Sequence, residues 1–222
     1  MKFYYSGIEE VFNVCHEYIN TIIIENQKLF SEICKDIYYQ IEGNDGRTIV
    51  SVDNAPIDIE KNVELITQFI PFELNKKSLL NKVISRVEKM AIDPDYYEIT
   101  MMELANIEKF ILRITENMEG NLIYSKLSIS NIIKSLGIEF EDYDTNLCEK
   151  IIDYMELVRE YDHDKLFIFV NLRSYITDYE CIRLYDTILR KQFHTIMIDN
   201  CEHDICPMEK RIIVDKDNCV IK

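Results

Sequence analysis

The chain has 222 residues, 47% of them hydrophobic, with seven cysteines and a formal net charge of −15. That length and apolar content suffice for a core that needs no disulfide or structural metal, so one domain with a large insertion, or two domains, is expected. No run approaches the roughly 18–20 apolar residues of a membrane span, and the start MKFYYSGIEE lacks the basic and apolar regions of a signal peptide. A soluble, cytoplasmic protein with no membrane partner is the expectation, and an odd number of scattered cysteines fits reduced thiols.

In chain order, the β-branched run Thr21-Ile22-Ile23-Ile24-Glu25 reads as a strand covered on both faces. Asn26 can cap the helix that follows, about 27–41, which places Leu29, Phe30, Ile33, Ile37 and Ile41 on one face and stops before Gly43. A second strand is predicted at 48–52, after the Gly43-Asn44-Asp45-Gly46 turn. From Leu74 to Tyr161 the periodicity is helical. Leu79, Leu80, Val83, Ile84, Val87 and Met90 line one helix, and Ile99, Met102, Ile107, Phe110, Ile111, Ile114 and Met118 line a second. A third, about 130–136, stops at Gly137; a fourth opens with Asn146 and Glu149 in capping-box spacing and carries Ile151, Ile152, Met155 and Val158. Strand signals return at 166–171, 195–199 and 211–215, with a helix near 178–191 between the first two. Strand, helix and strand in this order imply a parallel crossover, so both ends of the chain share one α/β sheet. The expected fold is an α/β head, 1–70 and 162–222, with an inserted α-helical leg, 71–161.

Five glycines, Gly7, Gly43, Gly46, Gly120 and Gly137, form neither a Gly-x-x-x-x-Gly-Lys-Ser/Thr nor a Gly-x-Gly-x-x-Gly pattern, so no backbone nest is available to cradle a polyphosphate. His16, His163, His194 and His203 sit in no recognised nucleophile or metal motif. Cys201, His203 and Cys206 are spaced as metal ligands can be, but a second closely spaced ligand pair is missing, and burial or loop exposure is the plainer account. The acid-rich run Glu139, Glu141, Asp142 and Asp144 reads as a solvated loop, with magnesium or calcium binding as alternatives.

Net acidity argues against nucleic acid, but its distribution argues less. Residues 60–91 carry six Lys/Arg against four Asp/Glu and 165–191 five against three, whereas 92–164 carry six against seventeen. Lys82, Arg86 and Lys89 recur at i, i+4 and i+7 along one helix side, preceded by Lys76 and Lys77. The candidate phosphate contacts are Lys76, Lys77, Lys82, Arg86, Arg173, Arg183, Arg190 and Lys191, and several copies converging on one channel would multiply their local charge. A solvated basic face is the competing reading.

The C-terminal run KLFIFVNLRSYITDYECIRLYDTILRKQFHTIMIDN at 165–200, followed by RIIVDKDNCVI at 211–221, resembles the type II-A CRISPR-associated adaptation protein, the Csn-two family. IIIENQKLFSEI at 22–33, EGNDGRTIVSVDNAPIDIEKNVELI at 42–66, KKSLLNKVISRVEKMA at 76–91 and SLGIEFEDYDTNLCEKIIDYMELV at 135–158 agree in order and spacing, so the resemblance covers almost the whole chain. It implies a head related to P-loop ATPases but without nucleotide chemistry, and a helical leg. It further implies a non-catalytic homotetrameric ring that holds linear double-stranded DNA, loads at free ends and acts in spacer acquisition beside the CRISPR integrase complex and the guide-RNA nuclease. Calcium, which the resemblance places in the legs, has Glu116, Glu119, Glu139, Glu141, Asp142 and Asp144 as candidate ligands. Where the family tends to carry more carboxylates this chain has Asn121-Leu122-Ile123-Tyr124-Ser125-Lys126-Leu127-Ser128. The alternatives are a protein-only scaffold for the other adaptation proteins and a metal-dependent nuclease.

Overall fold

Continuous β-branched runs are stable as strands only where both faces are covered, and the centre of the fold is built from them. The computed structural model describes residues 1–143 and 145–221, the side chain of Glu9 aside. It divides into two compact units: Met1–Leu74 with the described part of 144–222, and Asn75–Tyr143.

The first unit contains β1 (Lys2–Tyr5), β2 (Ile8–Asn13), β3 (Ile19–Ile24), α1 (Gln27–Ile41), β4 (Thr48–Val52), β5 (Ala55–Pro56), α2 (Ile59–Asn62) and β6 (Val63–Ile66). The second holds α3 (Lys77–Ala91), α4 (Tyr97–Thr115) and α5 (Ile129–Leu136). The chain then returns to the first with α6 (Leu147–Tyr161), β7 (Leu166–Val170), α7 (Asp178–Arg190), β8 (His194–Asp199), β9 (Glu209–Val214) and β10 (Val220–Ile221).

Six strands form the main sheet in the order β10-β9-β3-β8-β7-β6, and all neighbours are parallel except β10, which runs antiparallel to β9. Every residue of β3 and β7 is buried, as their unbroken apolar runs require. Alternate positions face opposite sides of the sheet. Leu166, Ile168, Val170, Ile196 and Ile198 join a core with Ile33 and Ile37 of α1. Asn26 starts α1 by accepting from the Lys28 and Leu29 amides through its side chain.

A separate antiparallel sheet, β2-β1-β4-β5, adds Phe3, Tyr5, Ile8, Phe12 and Val50 to that core. Phe3 pairs with Phe12 on one side and Val50 on the other, so one sheet face is aromatic and buried. The 48–52 strand therefore lies in this smaller sheet.

The expected leg of 71–161 is too long at both ends. Phe72 and Leu74 are buried in the α/β unit, and α6 belongs to it as well. Ile151, Tyr154, Met155 and Val158 of α6 are buried, Tyr154 meets Phe72 edge-on at 5.8 Å, and Arg159 stacks 4.1 Å over the Phe193 ring. With Ile152 that makes five buried residues, so the apolar stripe of α6 is already covered within the α/β unit.

In the helical unit, α3 packs against α5, and Leu79 and Val83 of α3 and Ile133 of α5 are buried. Gly137 ends α5 at φ 64°, a left-handed conformation that costs glycine little. The Asn75 side chain brackets the Phe140 backbone, donating to its carbonyl at 2.9 Å and accepting its amide at 2.8 Å. No residue of α4 is buried.

Candidate nucleic-acid interface

Helix α3 begins without a side-chain cap and turns buried Leu79 and Val83 inward. The same periodicity turns Lys82, Arg86 and Lys89 outward, where all three are exposed, as is Lys77; Lys76, at the N-cap, is half-buried. Lys82, Arg86 and Lys89 form a cationic row spanning about two helical turns.

Further cations lie on and beside α7. Arg183 is exposed and lies 5.9 Å over the Tyr179 ring. It lines a cavity of about 160 Å³ with Cys148, Glu149, Asp153, Glu180 and Thr187. Arg190 pairs with Asp186 one turn back at 2.9 Å, and the Lys191 ammonium pairs with Glu156 of α6. These two are partly neutralised within their own unit.

Arg173 is not a surface cation. Its side chain is 3% exposed and pairs with Asp178 at 2.6 Å and with Glu209 at 3.6 Å, and it donates to the Asp204 carbonyl at 3.1 Å. A duplex phosphate has no path to a guanidinium enclosed in this way, so Arg173 leaves the set of candidate contacts. Arg211 pairs with the same Glu209 at 2.7 Å, and the Glu209 side chain is fully buried. Asp199, at the end of β8, is 2% exposed, and burial pushes its carboxyl up to about 7 against the pull of Arg173 and Arg211. The sequence signal for this network was a single acid closing an apolar strand, which says nothing of its neighbours.

The carboxylates considered for calcium are dispersed. Glu116, Glu119, Glu139, Glu141 and Asp142 are exposed, and Asp144 lies outside the described residues. Glu141 accepts from the Tyr143 hydroxyl at 2.6 Å, which raises the Tyr143 pKa. Among the described residues no three His, Cys, Asp or Glu side chains converge on a point that fits a metal ion. Cys201 is exposed with its Sγ 3.6 Å from His203 Nε2, whereas Cys206 is buried. Burial, then Arg173 and Arg211, lowers the His203 pKa and favours its neutral ring. No helix among the described residues is long and apolar enough to cross a membrane.

Residues 38–218 match the family model described as CRISPR-associated protein (Cas_Csn2). The chain is 21% identical over 201 residues to the CRISPR-associated protein Csn2 of Streptococcus agalactiae, spanning 90% of this chain and 89% of that one. It is 22% identical over 191 residues to the Csn2 protein of Enterococcus faecalis, spanning 85% and 84%. Among solved structures its fold is similar to that of Stu0660 of Streptococcus thermophilus, with a TM-score of 0.55 and 13% identity over 91% of this chain and 69% of the other.

Proposed function

Because the chain belongs to the CRISPR-associated Csn2 family, a family of CRISPR adaptation proteins, we propose that it binds double-stranded DNA without cleaving it, as a homotetrameric ring serving spacer acquisition. The observation that carries this reading is the exposed Lys82, Arg86 and Lys89 row on α3, in a chain whose overall charge would repel phosphate. One such row neutralises few phosphates; copies arranged around a duplex multiply it.

Assembly is supported by α4. Ile99, Met102, Ile107, Phe110, Leu112 and Ile114 are each more than a third exposed, and large apolar side chains gathered in water on one element mark an interaction surface. A second copy of the chain offers the same surface and can cover it by symmetry.

Gel shifts of linear and covalently closed circular duplex of equal length test the reading. Linear DNA is expected to bind and the closed circle to bind much less. The binding constant should fall with salt with a log-log slope of about −0.9 per phosphate neutralised. Equal binding of both forms would remove the ring, and no binding at low salt would favour a protein-only scaffold, which the same apolar α4 surface also suits.

A further inference from the structure

Where the end of α1 meets the small sheet there is a cavity of about 250 Å³, and the DNA reading uses none of its residues. Gln40 and Gly43 line it from the end of α1, Thr48 and Ile49 from β4, and Ile57 and Glu60 from the chain entering α2. That volume takes a short organic chain, not water alone.

The wall is held in place from within. The Gln40 side chain grips the Thr48 backbone twice, donating to its carbonyl at 3.0 Å and accepting its amide at 3.0 Å. A Cβ on Gly46 would stand 2.5 Å from the Gln40 side chain, so a larger residue there would push Gln40 off this grip. The clip ties the last turn of α1 to β4 and holds Thr48 at the cavity wall. Thr48 is 3% exposed, yet its Oγ1 has no hydrogen-bond partner. An unpaired buried hydroxyl is costly, and a ligand that donates to it relieves that cost.

Charge at the same place is negative and unanswered. The last turn of α1 holds no basic residue, so the negative end of its dipole is uncompensated. The Glu60 carboxylate lies beside that end: a Cβ on Gly43 would stand 3.6 Å from Glu60 Oε2. Lys61, the adjacent cation, is paired with Asp58 at 2.9 Å, and Glu60 joins no ion pair among the described residues. A helix end and a carboxylate set together in this way repel each other unless a cation joins them. Exposed Ile49 and half-buried Ile57 offer apolar contact to a carbon stem.

We propose that this cavity binds an alkylammonium group. The cation sits between Glu60 and the end of α1 and donates to Thr48 Oγ1, and its carbon stem lies along Ile49 and Ile57. One carboxylate and one hydroxyl are too few ligands for a hard metal ion, and an anion would meet both Glu60 and Asp58. A free small amine and a lysine side chain of another protein share this chemistry.

The probes are n-butylammonium and N-acetyl-lysine methylamide, titrated into the full chain at about 0.15 M salt, where general attraction to an acidic protein is screened. Amide resonances of 40–49 and 57–60 should shift to saturation with n-butylammonium and stay unmoved by neutral n-butanol. Tighter binding of the lysine derivative assigns the site to a protein side chain, and tighter binding of n-butylammonium to a free amine. Glu60→Gln should weaken n-butylammonium about tenfold. Thr48→Val should weaken it about threefold while melting no lower than the parent, because the lost hydroxyl has no partner in the fold. Glu119→Gln, which removes the same charge from the helical unit, should change nothing. The site is overturned by non-saturable binding, by unchanged affinity in Glu60→Gln or Thr48→Val, by a lower melting temperature in Thr48→Val, or by equal weakening in Glu119→Gln.

Discussion

The two units bury their apolar residues to very different degrees. In the α/β unit β3 and β7 are wholly buried, whereas in the helical unit α4, 19 residues long, buries none. The same amphipathic pattern that gives α1 a buried Ile33 and Ile37 gives α4 a face of Ile99, Ile107, Phe110 and Ile114 that stays in solvent. An apolar periodicity thus establishes that a helix has a side to hide, and the partner that hides it is a separate question. One unit supplies its own cover; the other relies, in our reading, on further copies.

The largest test of that contrast is a paired truncation. Phe167 is fully buried and meets Phe193 edge-on at 5.9 Å, so Phe167→Ala should cost about 3–5 kcal/mol in urea unfolding. Phe110, 58% exposed in the single chain, should cost less than about 0.5 kcal/mol when changed to Ala and unfolded at a dilution where copies are dissociated. Equal costs would erase the distinction.

Next in size is a charge effect that belongs to the α/β unit alone. Asp199 ionises near 7 when folded and near its ordinary 3.8 when unfolded. Between those pH values the unfolded chain gives up a proton that the folded chain keeps, so this residue makes stability fall as pH rises from about 4 to about 7, and level off above. Asp199→Asn should therefore be more stable than its parent at pH 8, by on the order of 2–4 kcal/mol, and no more stable at pH 4. Thermal melts at the two pH values measure it; a difference independent of pH would show that the carboxyl is not protonated in the fold.

A smaller effect on stability, though a visible one on mass, is expected from Phe110→Glu with Ile114→Glu. Light scattering should show the assembly falling towards monomer while circular dichroism stays unchanged. The smallest effects belong to Lys82→Ala, Arg86→Ala and Lys89→Ala. Each should weaken binding to every duplex sequence alike and reduce the salt slope by about one, leaving stability within about 0.5 kcal/mol. A slope unchanged in all three would move the DNA contacts off α3.

Legibility in the sequence followed the locality of the signal. Helix α1 runs from Gln27 to Ile41 as periodicity and the Asn26 cap predict, and α5 stops at Gly137. β1 and β2 passed unread because each is short and its alternation, Phe3 with Tyr5 and Ile8 with Phe12, becomes meaningful only once the two pair. The end of the helical insertion was misplaced because the α6 stripe looks the same whether it faces helices or a sheet. Arg173 was grouped with surface cations because residue type carries charge but not depth; Glu209, its buried partner, lies far along the chain. The α3 row was the part of the candidate site that sequence spacing alone could find, since one helix supplies all three residues.

The passage from β8 to β9 has a kinetic consequence. Without a helix in 200–208 there is no ladder of amides to protect one another, and order there rests on a few tertiary links: Arg173 and Arg211 gripping the Asp204 carbonyl, the Asn200 amide on Asn171 and the Cys206 amide on Glu209. In hydrogen–deuterium exchange, stretches that depend on a few tertiary links open ahead of the core. The amides of 201–205 should therefore exchange well before those of β3 and β8, opening a small cooperative flap beside the most slowly exchanging strands of the molecule.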